Sequence, residues 1–79
     1  MGKILALSMM RLGQKGIVHR IVGGRGLAAR LSALGIRPGV EIGKHSALLR
    51  HGPVIVTVGT GEVAVGYQIA ARIMVEVDE

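Results

Sequence analysis

The pattern of apolar positions is clearest between residues 24 and 40, where it predicts a short helix. Leu27, Leu31 and Leu34 follow the i, i+4, i+7 spacing of one helical stripe, so we expect a helix over about 27–34. Gly35 suits the left-handed position just after a helix, and Ile36 can then fold back on Leu31 in a Schellman arrangement. The segment therefore predicts a helix with a defined C-terminal end.

A turn and several strands surround this helix. Pro38-Gly39 matches a type II turn, because Pro fixes φ at the first central position and Gly permits positive φ at the second. Runs of β-branched or alternating residues predict strands at 17–22, 40–44, 54–58, 62–65 and 73–77.

The segments between the strands carry turn and loop signals. We expect a turn at 13–16, a loop at 46–52, a three-residue hairpin turn at 59–61 and one helical turn at 67–71. Residues 5–12 form an apolar lead-in of undefined type, with a turn of helix starting at Ser8 as one interpretation. Five short strands, one helix and one helical turn predict a mainly β fold, a small five-stranded SH3-like barrel, because closing a bent sheet removes its exposed edges.

Length and composition fit one small domain over residues 1–79. The chain has no cysteine, which excludes disulfides, thiol catalysis and cysteine-based zinc sites, and is compatible with a reducing cytoplasm. The N-terminal apolar run is interrupted by Ser8 and closed by Arg11, which argues against a targeting segment. No apolar run approaches the ~20 residues of a membrane span, so we do not expect insertion.

Charge divides the chain into two halves. Residues 1–40 hold seven Lys and Arg and no acid, whereas residues 41–79 hold three Lys and Arg and five acids. This split is compatible with an anionic partner. It is equally compatible with pairing inside the fold, where the acidic last strand lies beside the basic first one. The sequence leaves both interpretations open.

Candidate chemistry is sparse. The carboxylates are isolated or lie in the C-terminal tail, and no serine-centred catalytic motif is present, so we do not expect an enzyme or a bound cofactor. His45 and His51 flank one loop and are weak metal candidates, because two ligands are too few for a selective site. The Gly23-Gly24-Arg25-Gly26 run precedes the helix but lacks a phosphate-loop pattern, and a tight turn explains it.

A small basic barrel also raises the question of nucleic acid. Tyr67 is the only aromatic residue, whereas single-strand binders rely on stacking worth ~1–3 kcal/mol per base. Phosphate binding by arginines alone remains the alternative, and the composition argues against it as the main function.

Four segments, taken in order, resemble the ferrous-iron transport protein A family. They are G-Q-K-G-I-V at 13–18, R-L-S-A-L-G-I-R-P-G-V-E-I at 30–42, G-P-V-I-V-T-V at 52–58 and V-A-V-G-Y-Q-I-A-A-R-I-M-V at 63–75. The resemblance implies an SH3-like fold and a non-enzymatic cytoplasmic protein that docks on the GTP-dependent Fe(II) membrane permease. A related SH3-like domain also occurs in iron-dependent repressors, which gives the alternative of a repressor-related module.

The resemblance brings no established iron-binding residues with it. For the docking surface we therefore point to the helix face and the turn after it, with Arg25, Leu27, Arg30 and Arg37; a merely solvated face is the alternative. Met9 and Met10 stand where family members often carry polar residues, and we expect them in the core rather than on a contact surface. The oligomeric state stays open, with a homo-oligomer among the alternatives.

Overall fold

The computed structural model describes residues 2–47 and 49–78 and shows a mainly β fold, as predicted. The strands are β1 (Gly2–Ala6), β2 (Lys15–Ile21), β3 (Glu41–Ala47), β4 (Val54–Val58), β5 (Gly61–Val65) and β6 (Ile73–Asp78). The helices are α1 (Arg25–Ala33) and α2 (Tyr67–Ala70), and a 3-10 turn covers Leu7–Met9.

One antiparallel sheet contains six strands in the order β1-β6-β2-β3-β4-β5, one strand more than predicted. The additional strand is β1, which pairs with β6 from Gly2↔Asp78 to Ala6↔Met74. The predicted helical turn at Ser8 is present as the 3-10 turn, but the residues before it are a strand. Because the strand that β1 pairs with among the described residues is more than 60 residues away in sequence, the local sequence of β1 gives no sign of the pairing.

Two predicted boundaries shift because strands extend into neighbouring segments. β2 begins at Lys15, inside the predicted turn, and ends at Ile21. β3 continues to Ala47, so the first residues of the predicted loop 46–52 are strand, and a register shift between Lys44 and Ser46 marks an irregularity in its pairing. Leu48 lies outside the described residues.

The β4–β5 hairpin has a two-residue turn rather than the predicted three. Gly61 pairs with Val58, which leaves Gly59 and Thr60 as the connection. Gly59 has φ +60° and Thr60 does not have positive φ, as in a type II′ turn with Gly in the first central position. The predicted helical turn at 67–71 corresponds to α2.

The predicted end of the helix is confirmed in detail. Gly35 has φ +89°, its N–H donates to the Ser32 carbonyl at 2.9 Å, and the Ile36 N–H donates to the Leu31 carbonyl at 2.9 Å. These are the two bonds of a Schellman motif. The type II turn follows, with Gly39 at φ +92° and the Val40 N–H donating to the Arg37 carbonyl at 3.2 Å.

The core is a single cluster that draws on every part of the sheet. Val65 of β5 and Val77 of β6 are buried in it, and Leu5 of β1 packs against it, so the sheet bends around one interior. Leu27 and Leu31 of α1 are buried in the same cluster, whereas Leu34 is 50% exposed. The stripe predicted for Leu27, Leu31 and Leu34 is therefore only partly buried, because α1 ends at Ala33 and the turn that follows takes Leu34 off it.

Candidate partner-binding surfaces

The predicted docking residues divide into a surface set and a core residue. Arg25, Arg30 and Arg37 are exposed on α1 and the turn after it, and we call this set the α1 basic face. Leu27 is only 8% exposed and belongs to the core, where it supports the helix. The structure thus leaves three arginines exposed along α1 and the turn after it, and places Leu27 in the core.

The arginines of the α1 basic face differ in what they do for the helix. Arg37 Nη1 donates to the Ser32 carbonyl at 3.2 Å, and Arg30 lies in the last turn, where a cation complements the helix dipole. Arg25 lies at the opposite end, in a first turn without an acidic residue, and Gly24 before it supplies no side-chain cap. A cation there opposes the dipole, so helix stability does not explain Arg25.

A fourth cation, Arg72, lies beside the start of α1. A Cβ atom placed on Gly23 would be 3.3 Å from Arg72 Nη1, which puts this guanidinium next to the β2–α1 connection. The Val22 N–H also donates to the Arg72 carbonyl at 2.8 Å. Sequence reasoning missed Arg72 because it comes from the far end of the chain, with no local signal of the contact.

The sheet topology bears on the two interpretations of the uneven charge distribution, an anionic partner or pairing inside the fold. β6 lies between β1 and β2, so the acidic last strand does lie beside the basic β2, as one interpretation expected. Within the described residues, however, no ion pair joins β2 to β6: Glu76 stands opposite Ile17, and Arg20 opposite Met74. The two signs meet instead across an open groove of about 610 Å³, lined among others by Arg11, Lys15, Glu41, Glu76 and Asp78.

The two histidines considered as metal candidates have separate partners. His45 Nε2 lies 3.6 Å from Glu62 Oε2, with both side chains more than half exposed. The His51 ring packs on Tyr67 with centroids 4.8 Å apart and planes tilted by 58°. In the described part of the chain, no three His, Cys, Asp or Glu side chains come together in a group that could hold a metal ion.

Lys44 is a buried cation that sequence reasoning did not single out. It is 8% exposed, and its Nζ donates to the carbonyls of Met10 at 2.7 Å and of Ser8 at 3.0 Å. Burial lowers the pKa of the Lys44 ammonium from its ordinary value of 10.5. Lys44 therefore ties β3 to the segment that follows β1. Its alternation within a strand gave no sign of this, because the acceptors are more than 30 residues away.

Met9 and Met10 lie in the segment whose carbonyls accept from Lys44, and they differ in exposure. Met10 is 3% exposed and belongs to the core, as expected. Met9 is 70% exposed, so the expectation that it would be buried was wrong. In the 3-10 turn and the residue after it, Leu7 and Met10 face inward and leave Met9 outward.

No helix within residues 2–47 and 49–78 is long and apolar enough to cross a membrane. The fold and its surfaces define a class: a small antiparallel β domain with one bent sheet, a short basic helix and exposed cations. A solved prokaryotic SH3 domain protein shares this architecture, which confirms the SH3-like fold expected from the sequence.

A sequence profile of the FeoA domain matches residues 5–77, and the chain belongs to the FeoA family. A crystal structure of the iron uptake regulatory protein FeoA is similar, with 36% identity and a TM-score of 0.85 over 95% of this chain and 99% of that one. The zinc complex of Stenotrophomonas maltophilia FeoA, a prokaryotic SH3 domain protein, matches at 25% identity and a TM-score of 0.75. It covers 90% of this chain and 88% of that one.

A manganese-dependent transcriptional repressor shares the fold. It is 20% identical, with a TM-score of 0.86 over 99% of this chain but only 44% of the repressor. The similarity to repressors is therefore confined to a domain-sized part of a longer protein. Among proteins with curated descriptions, none matches this chain significantly.

Proposed function

We propose that this chain is a non-enzymatic, cytoplasmic accessory protein of ferrous-iron uptake, which docks on the cytoplasmic part of a GTP-dependent Fe(II) permease. The observation that carries the proposal is the FeoA family match over residues 5–77. The S. maltophilia relative, with which the chain shares its fold, has been suggested to act as a ferrous iron transport activating factor. A small SH3-like domain with exposed cations suits binding to a partner segment.

The α1 basic face is the docking surface in this proposal. Its three arginines are exposed, and Arg25 stands where it opposes the helix dipole. Arg37 is held in place by its bond to the Ser32 carbonyl, which reduces the freedom that binding would remove. A carboxylate-bearing surface on the permease would complement this face, since guanidinium groups pair with carboxylates in a bidentate geometry.

The proposal is tested by a pull-down of this chain with the cytoplasmic domain of the permease at ~0.15 M salt, where weak long-range attraction is already screened. The wild-type chain is expected to be retained. The double variant Arg30→Glu/Arg37→Glu is expected to lose at least ten-fold in affinity, because both guanidinium groups become carboxylates.

A matched control separates the surface from net charge. Arg20→Glu/Arg50→Glu reverses two exposed charges, on β2 and in the segment after residue 48, that do not belong to the α1 basic face, and should bind as the wild type does. Absence of wild-type binding would overturn the function. Equal losses in both double variants would overturn only the assignment to the α1 basic face.

A further inference from the structure

A second surface lies at the opposite end of the sheet order from β5, along the edge strand β1. An open groove of about 240 Å³ runs between β1 and the segment after it, and we call it the edge groove. It is lined by Lys3, Leu5, Met9, Arg11 and Gln14. The described residues that line it include two cations and two apolar side chains but no carboxylate.

Within the described part of the chain, the strand beside the edge groove has one side without a partner strand. β1 is the first strand of the sheet order and pairs with β6 alone among the described strands. Edge strands present backbone N–H and C=O groups that an extended segment can pair with, and such pairing supplies affinity while adjacent pockets supply specificity. Lys3 and Leu5 lie two residues apart on β1, so both belong to the groove side of the strand.

The other wall of the edge groove is fixed before any ligand arrives. Lys44 Nζ holds the carbonyls of Ser8 and Met10, and the Gly13 N–H donates to the Lys44 carbonyl at 2.7 Å. The Arg11 N–H donates to Gln14 Oε1 at 2.9 Å. Met9 nevertheless stays 70% exposed on this wall. A wall that is already ordered lowers the entropy that binding must remove.

Arg11 sets the charge preference of the groove. Its guanidinium is in no ion pair with the described residues, although it also borders the larger groove that carries Glu41, Glu76 and Asp78. In the edge groove it lies beside Met9, so an apolar contact and a cation are adjacent.

We propose that the edge groove binds an extended acidic peptide segment of a partner protein, which adds to β1 as a further strand. Side chains two residues apart in that segment face the groove. One is apolar and contacts Leu5 and Met9; the other is a carboxylate and pairs with Arg11. This surface is separate from the α1 basic face and does not depend on the identity of the permease as partner.

The test is an NMR titration of the isotopically labelled full chain with two capped nonapeptides. The acidic peptide has the sequence T-V-T-E-T-V-T-E-T, so that valine and glutamate lie two residues apart. In the basic peptide, lysine replaces both glutamates. The acidic peptide is expected to shift the amide signals of residues 2–6 and to slow their hydrogen exchange, because they gain backbone partners. The other edge strand, residues 61–65, serves as the internal control and should not respond.

Three variants test which side chains of the edge groove contribute to peptide binding. Arg11→Glu should weaken the acidic peptide at least ten-fold and favour the basic one, and Met9→Asp should also weaken the acidic peptide by placing a carboxylate in the groove. Arg50→Glu, the matched charge reversal outside the groove, should leave the affinity unchanged. Melting curves check that each variant is folded.

Several outcomes overturn the proposal. They are equal binding of the two peptides to the wild type, protection at residues 61–65 instead of 2–6, and an unchanged affinity in folded Arg11→Glu. If anionic phosphatidylglycerol vesicles bind the chain through Met9 while the acidic peptide causes no shift, the region contacts lipid and the peptide site is refuted.

Discussion

The segments on either side of β2 are held in place by opposite means. Residues 24–40 are fixed by bonds between near neighbours, such as the Ile36 N–H to the Leu31 carbonyl at 2.9 Å. Residues 2–14 also contain local bonds, but their place in the fold depends on distant partners: β1 pairs with β6, and Lys44 Nζ donates to the Met10 carbonyl. Bonds between near neighbours require particular residue types at fixed spacings, so they can be predicted from the sequence, whereas distant contacts cannot. Substitutions in the two segments test this difference.

The largest expected effect concerns two leucines of the same predicted stripe. Leu31→Ala should lower the free energy of unfolding by about 2–5 kcal/mol, because it leaves a cavity around a side chain that is 3% exposed. Leu34→Ala should cost less than about 0.5 kcal/mol, because this side chain is half exposed at the end of the helix. Urea denaturation of both variants measures the difference, and equal costs would contradict the assigned end of α1.

The next largest effect concerns Lys44, which is distant in sequence from the two carbonyls that accept from it. Lys44→Met keeps most of the apolar stem but removes the ammonium, so the carbonyls of Ser8 and Met10 lose a donor, at a cost of about 1–3 kcal/mol. Faster hydrogen exchange of the Gly13 amide should accompany it, since that N–H donates to the Lys44 carbonyl. Lys15→Met, on an exposed lysine of β2, is the matched control and should change stability by less than about 0.5 kcal/mol.

The pH dependence of stability tests the burial of the Lys44 ammonium. Burial lowers the pKa of Lys44 in the folded chain, while in the unfolded chain it titrates near 10.5. Between the lowered value and 10.5 the unfolded chain binds more protons, so the free energy of unfolding should rise with pH by at most about 1.4 kcal/mol per pH unit. The quantity to measure is the wild-type stability minus that of Lys44→Met; a difference that falls over this range would contradict the burial of the ammonium.

The smallest effect concerns the first turn of α1. Arg25→Glu replaces an unfavourable cation by a favourable anion near the N-terminus of the helix, and should stabilise the chain by about 0.3–1 kcal/mol. In the permease pull-down the same variant should bind more weakly, because it removes a cation from the proposed docking surface. A variant that is both more stable and equally well bound would show that Arg25 has no part in docking.

Sequence patterns predicted most of the fold because most of its elements carry local signals. Gly35 and Pro38-Gly39 defined the helix end and the turn, since few residue types tolerate those backbone angles. A run of β-branched residues gave the strand around Val56, and alternation gave the strand around Val75. β1 was missed because five residues paired with a strand from the far end of the chain carry no periodic signal of their own.

The candidate sites were predicted less completely, for the same reason. The exposure of Arg30 follows from helical spacing, because Arg30 lies off the leucine stripe of the predicted helix; Arg25 lies before the predicted start of that helix and is also exposed. Arg72 and Lys44 meet their partners only in three dimensions, and no spacing rule connects them. Met9 and Met10 show the limit most directly, since adjacent residues of one type have opposite exposures that are set by the turn between β1 and β2.

The position of β6 between β1 and β2 has a consequence for folding during synthesis on the ribosome. Among the described strands, β1 pairs with β6 alone and β2 pairs with β6 on one side, so both strands lack this partner until β6 has been made. Contacts of such long sequence separation slow folding, since a large loop has to close before they form. The nascent chain thus cannot complete its sheet until β6 has left the exit tunnel, and β1 and β2 stay without this partner strand until then.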